Sequence, residues 1–346
     1  MKIKVLLLLL VFVASCSNDE KKSSDNLDIP KKVNENLVSV PKTDSFLLRY
    51  KFKKNQKLKY KITTVSESNQ QIETDSVIST VTKQNVEYLL SLIVRDNDSK
   101  NNWIIDFTMN SIKSEGTING ENISYESKYI YSTQERMIFA QYEALKNKTF
   151  SLKVSERGEV LEIFNMKEIT NELIDIQQQS DKITIEQKKL LVQNFKDAAI
   201  RPLSEQLFRK FPTEAIGVNS NWDDRYYTKF AMFDIENIAS FQIKNMEQID
   251  EDSLVTVSAG LSINWTGSHE ATDQGVKYYF YDPIVSGNGL ITFNKTNGVI
   301  ARSETSTSMQ IVIDMEGFDA TQKLVKGKRT DHTVNKNLVE LIENIL

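Results

Sequence analysis

Residues 255–265 read "VTVSAGLSINW", and their alternation decides the fold class. Val255, Val257, Ala259, Leu261, Ile263 and Trp265 fall on one side of an extended chain; Thr256, Ser258, Gly260, Ser262 and Asn264 fall on the other. Successive side chains of a strand point to opposite faces, so a period of two marks a strand with one buried and one wet face. Such strands build antiparallel sheets. The pattern recurs in "WIIDFTM" (103–109), where Trp103, Ile105, Phe107 and Met109 share a face, and in "MQIVIDM" (309–315), where Met309, Ile311, Ile313 and Met315 do. Turn signals lie between such stretches: "RDNDSKNN" (95–102), "TINGEN" (117–122), "SERGE" (155–159), "DED" (250–252) and "NKTNG" (294–298).

The middle of the chain breaks the pattern. Residues 168–179 and 184–211 are rich in Glu, Gln, Lys and Leu, and Thr184 followed by Gln187 is a capping box. Leu191, Phe195, Ala198/Ala199 and Leu203 recur at helical spacing, with Pro202 expected to kink or split the helix. The expected fold is α+β, mainly β: curved antiparallel sheet or sheets, with central helices (about 168–211) packed on the apolar face. Boundaries follow at 46–165 for a first half, 166–214 for a helical insert and 215–333 for a second half, with a C-terminal helix over 334–346. "FSLKVSERGEVLEI" (150–163) and "GLITFNKTNGVIARS" (289–303) are each a strand, a Gly turn and a returning strand. Either the β unit is duplicated or two hairpins share turn chemistry.

The beginning of the chain specifies a destination. Two lysines precede nine apolar residues, Val5 to Val13, and Ser17 to Ser24 are polar or charged. A spanning helix needs about 20 apolar residues, so this run has the proportions of a secretory signal over residues 1–15. "VASC" (13–16) resembles the lipobox of bacterial lipoproteins, which implies cleavage between Ser15 and Cys16 and acylation (palmitate among the acyl groups) of the Cys16 sulfur. Residues 16–45 then read as a lipidated cysteine and a flexible tether, polar and carrying Pro30 and Pro41. By the same resemblance the protein is exported and anchored, with the outer membrane favoured.

Cys16 is the only cysteine in 346 residues, which rules out a disulfide framework. A net charge of −4 without a basic cluster argues against nucleic acid as a partner. "LLRYKFKKNQKLKYKITT", "LKVSERGEVLEI", "AIGVNSNW" and "GLITFNKTNGVIARSETSTSM" resemble uncharacterised lipoproteins of Bacteroidetes that share a domain of unknown function. The resemblance covers most of 47–333 and carries no catalytic residues. A curved antiparallel sheet with helices on its concave face is similar in architecture to the open barrels of LolA-type lipoprotein carriers, which hold acyl chains.

No constellation for chemistry stands out. "DNDSKN" (96–101) begins like a calcium loop, but the positions that should follow fail at Lys100, Asn101 and Phe107, leaving a hairpin turn. His269 and His332 lie in separate polar contexts, so neither metal nor cofactor is expected. Asp223 and Asp224 in "NWDDRYY" (221–227) would point to opposite faces of a strand, and "KYYFYDP" (277–283) reads as an edge strand. Ser76 and Ser253 fit a loose Asp-Ser-apolar O-glycosylation pattern. The expected function is non-catalytic binding of a hydrophobic or lipid-like ligand, with Trp103, Phe107, Ile263, Trp265 and Met309 as candidate lining. The alternatives are a structural or adhesive lipoprotein without a pocket, and a hydrolase acting on glycans or lipids. The expected partners are the membrane, through acylated Cys16, and an apolar small molecule; protein partners are not specified by the sequence.

Overall fold

The alternating stretches join into one antiparallel sheet of 14 strands that does not close on itself. The structure, a computed structural model, describes residues 45–177, 183–230, 233–266, 268–273, 275–318 and 322–345. The leader, Cys16 and nearly all of the tether lie outside the described residues.

The strands are β1 (Lys57–Glu73), β2 (Val77–Asn97), β3 (Trp103–Ile118), β4 (Glu121–Glu126), β5 (Thr149–Val154), β6 (Val160–Phe164), β7 (Asn221–Phe230), β8 (Phe233–Ile249), β9 (Asp252–Thr266), β10 (Glu270–Asp273), β11 (Val276–Phe280), β12 (Ile284–Asn294), β13 (Val299–Phe318) and β14 (Leu324–Ile345). Their order across the sheet is β6-β5-β3-β2-β1-β14-β13-β12-β9-β8-β7, with β4, β10 and β11 attached beside it. The chain starts at the centre, runs out to β6, crosses to the opposite edge and returns to the centre as β14. Four of the five turn signals connect adjacent strands of this path and the fifth, Asn119-Gly120, joins β3 to β4. Their φ values of +51° and +85° are what a two-residue hairpin loop requires.

Counted along the path, 150–163 is the hairpin of the fourth and fifth strands of the first half (β1-β2-β3-β5-β6), and 289–303 is that of the fourth and fifth strands of the second (β7-β8-β9-β12-β13). Both halves run in the same direction across the sheet, so the hairpins occupy the matching positions that a duplicated β unit requires. One expectation is corrected. The C-terminal helix is instead β14, paired along its length with β1 and β13. Its inward positions include Asn335, Asn337 and Asn344, and a register shift opposite Lys59/Tyr60 puts an extra residue beside Leu341. Inward asparagines and a bulge together erase the period of two that marks the other strands.

The helices are α1 (Thr133–Ile138), α2 (Ala140–Leu145), α3 (Lys167–Ile176), α4 (Ile185–Phe195) and α5 (Arg201–Glu205). Thr184 and Gln187 form the expected capping box at α4. Pro202 enters in the first turn of α5, behind one turn of π-helix (196–200), which accommodates the backbone bond that proline cannot make. The stripe beyond it is buried through Ile200, Leu203 and Leu207, while α4 itself is only half-covered. The α1–α2 pair was not expected, although Ser132 and Glu135 make a capping box.

Residues 46–53 are extended and alternate, yet they join no sheet. Leu48, Tyr50 and Phe52 are buried and thread the interior. Tyr50 N–H donates to Glu156 O in the β5–β6 turn, and Lys51 N–H to Gly298 O in the β12–β13 turn. The Tyr50 ring packs on Phe52, Phe208, Phe211 and Phe293, with centroids 5.4–5.9 Å away. The strap after α5 ties the two edges of the sheet. Lys210 Nζ lies 4.0 Å from Glu159, beside β6, and 3.1 Å from Asp224 on β7. Phe211 exchanges bonds with Arg157, and Lys210 O accepts from Trp222 Nε1. The two ends of a path of eleven paired strands therefore meet at one strap.

Burial pushes the phenols of Tyr50, Tyr60, Tyr88 and Tyr125 well above their usual value of about 10 and raises that of Tyr142. A raised folded pKa contributes stability that is complete below pH 10 and lost as pH rises past it. Absorbance titration of the 12 tyrosines should therefore split, these five ionising later than the exposed ones and with the loss of structure. A single smooth step near pH 10 with structure retained would contradict this burial.

Candidate functional site

The inner face of the second half changes character along its strands. Near the strap it is packed core: Phe241, Val257, Ile291, Phe293 and Val339. Further along, β8 and β9 present Ala239, Ala259 and Leu261, β12 presents Gly289 and Gly287, and β13 presents Thr305 and Thr307. Small residues are obligatory there, because a Cβ on Gly289 would sit 2.6 Å from the Thr305 methyl and one on Gly287 2.7 Å from Leu261 Cβ. Beyond this belt lies a second apolar cluster of Phe280, Ile311 and Ile313, flanked by Trp265, Tyr278, Met309 and Met315.

The helical segment covers this face only as far as the belt. Its last polar side chains, Gln206 and Arg209, meet the belt across a cavity of about 70 Å³, also lined by Tyr226, Phe241 and Asn337. Gln206 is 4% exposed, yet its Oε1 has no hydrogen-bond partner, and neither has Arg209 Nε. Buried polar atoms are rarely left unpaired in a native protein, and each such group asks for an explanation. Arg209 Nη1 donates to Glu205 O at 3.1 Å, and the Glu205 carboxylate lies 3.6 Å from Arg201. The Arg209 backbone N–H donates to Tyr50 Oη at 2.7 Å, which fixes the height of Arg209 over the belt. Asn337 Oδ1 is already occupied, accepting from Thr64 at 2.9 Å.

The five expected lining residues separate. Phe107 is 2% exposed and Trp103 packs against the main core, so both lie under cover. Ile263, Trp265 and Met309 share the uncovered stretch of the inner face. Gln206 and Arg209 were not singled out in the sequence: they follow α5 as ordinary polar residues and acquire a role only from strands that lie between Tyr226 and Asn337.

The other constellations stay apart. His269 pairs with Asp282 at 2.7 Å and His332 with Ser308 at 3.2 Å. No group of three or more metal-ligating side chains occurs among the described residues. Asp223 is exposed, while Asp224 is buried against Lys210. Asp98 holds its hairpin by accepting from Lys100 and Asn102, and the Lys153 ammonium keeps its carboxyl well below the usual carboxylate range. Ser76 is exposed in the β1–β2 turn and Ser253 is half-buried at the start of β9. No helix among the described residues is long and apolar enough to cross a membrane.

The chain belongs to a family of unknown function, DUF6263, whose model matches residues 100–300. No curated protein matches it. Among solved structures it is similar to one described as "Lipid-protein interactions in lipovitellin", at 9% identity and a TM-score of 0.41 over 85% of this chain and 26% of that one. The chain thus spans about a quarter of that protein's length. An outer membrane channel from Pseudomonas putida F1 matches at 8% identity and a TM-score of 0.17, covering 88% of this chain and all of that one. OpdL of Pseudomonas aeruginosa matches at 6% identity and 0.18, over 83% and 99%. At these scores none of the likenesses assigns a fold.

Proposed function

We propose that the protein is a non-catalytic envelope lipoprotein, anchored through Cys16, that binds a hydrophobic ligand on the inner face of its open sheet. The observation that carries this reading is the half-buried apolar set Ile263, Trp265 and Met309, which continues the core's own face beyond the point where the helices stop and borders the buried cluster of Ile311 and Ile313. Burying an acyl chain there would contribute about 0.8 kcal/mol per CH₂. The open sheet curled onto one strap supports the likeness to LolA-type carriers in architecture. The lipobox at Val13–Cys16 and the shared phrases of Bacteroidetes lipoproteins support export and an outer-membrane anchor.

Native mass spectrometry of the protein purified from its own host tests the ligand. A mass excess removed by organic extraction is expected; a ligand-free mass that added lipid does not shift would count against binding. The anchor is tested separately. Cys16→Ser should release the protein from the membrane fraction, and unchanged retention would refute lipidation.

A further inference from the structure

The two unpartnered polar atoms facing the cavity specify more than apolarity. Resting on the reading of an apolar ligand on the inner face, we infer that the ligand is a carboxylate-headed amphiphile whose head lies between Arg209 and Gln206. Arg209 brings a guanidinium with no carboxylate within 4.0 Å among the described residues and an unused Nε donor. Gln206 faces the same cavity from the same segment, with its amide oxygen unpaired. A half turn of that amide exchanges its oxygen for its N–H₂, so it donates to one carboxylate oxygen while Arg209 holds the other.

Size and surroundings agree with this head group. The cavity of about 70 Å³ compares with roughly 30 Å³ per water in the liquid, enough for a carboxylate and its first carbon. From the head, the tail follows β13, where Thr305, Thr307 and Met309 occupy successive inward positions over about 13 Å of strand, and it ends against the buried cluster of Ile311 and Ile313. On β9 and β13 polar and small residues give way to apolar ones in that direction, while β14 holds Thr333 and the Asp331–Arg329 pair at the inward positions beside them. The glycine and alanine belt keeps the first part of the path low.

The test uses residues 17–346, which retain every described residue, after removal of bound lipid. Dodecanoate, dodecan-1-ol and butyrate are titrated by calorimetry into this protein and into Arg209→Met. A charge-assisted contact of this kind is expected to make dodecanoate binding about 10- to 100-fold weaker in Arg209→Met, with partial recovery in Arg209→Lys and no change for dodecan-1-ol. Thr307→Leu, which fills the cavity from the opposite wall, should weaken dodecanoate as well, so the inference survives a poorly folding Arg209 variant. Equal binding of acid and alcohol, unaffected by Arg209→Met, would overturn the head group while leaving the apolar ligand standing. Failure of both C12 compounds to bind would overturn the apolar reading and this inference with it. Butyrate binding as tightly as dodecanoate, and lost in Arg209→Met, would keep the carboxylate site and remove the apolar ligand.

Discussion

Replacing Tyr50 by alanine is expected to destabilise the protein by about 3–5 kcal/mol, the range for removing a large aromatic from a well-packed core. The ring is 3% exposed and touches four others, which belong to the strap, to β12 and to its own extended segment. Its hydroxyl also accepts the Arg209 N–H, so the change leaves a buried donor unpaired. Denaturant unfolding of Tyr50→Phe beside Tyr50→Ala separates the two terms. The phenylalanine variant loses the acceptor and should cost about 1–3 kcal/mol. A loss below about 1 kcal/mol for Tyr50→Ala would mean that the segment does not hold the interior together.

The second large effect lies in the turns that grip this segment. Gly158 has φ +93°, and a Cβ there would sit 2.3 Å from Arg209 O and 2.4 Å from the Tyr50 ring. Gly298 has φ +65°, and its Cβ would sit 2.2 Å from Lys51 N. Alanine at either position combines left-handed backbone strain of about 1–2 kcal/mol with overpacking of about 1–3 kcal/mol, for a loss of about 2–5 kcal/mol. Gly120 is the control: φ is +85° but nothing lies within 4 Å of its Cβ, so Gly120→Ala should cost only the strain, about 1–2 kcal/mol. Equal losses at all three positions would show that the turns act through backbone conformation alone and do not clamp residues 50 and 51.

These two turns show how sequence and structure relate. Each was legible as a glycine turn in a hairpin, because the strand pattern on either side and the Gly itself are local. Their common task was not, since it depends on a third segment that passes between them. That segment alternates like any strand, and alternation reports a chain with a buried side whether or not a neighbouring strand pairs with it. β14 shows the reverse case. It is a central strand, but Asn335, Asn337 and Asn344 occupy inward positions where an apolar residue would have marked it. Thr64 donates to Asn337, so a polar pair stands where the pattern expects leucine. The capping box at Ser132 and Glu135 was readable and announces α1; the flanking β pattern concealed it.

The candidate site divides along the same line. Ile263, Trp265 and Met309 were visible as inward residues of strong strands, and they lie on the uncovered face. Trp103 and Phe107 carried the same pattern and lie under Phe52 and Phe208, because periodicity gives a side chain's face and says nothing of what covers it. Gln206 and Arg209 gave no signal at all. Their meaning comes from burial without partners, a property of three-dimensional packing.

Photolabelling tests the central claim most directly. Dodecanoate carrying a diazirine at its far end is irradiated with residues 17–346, and the labelled peptides are mapped. With the carboxylate at Arg209, the labelled carbon should fall on residues 261–265 of β9 and 309–313 of β13. Labelling spread over the outward residues Ile185 and Leu190 of α4, or absent from β9 and β13 at saturating ligand, would contradict an apolar site on the inner face of the sheet.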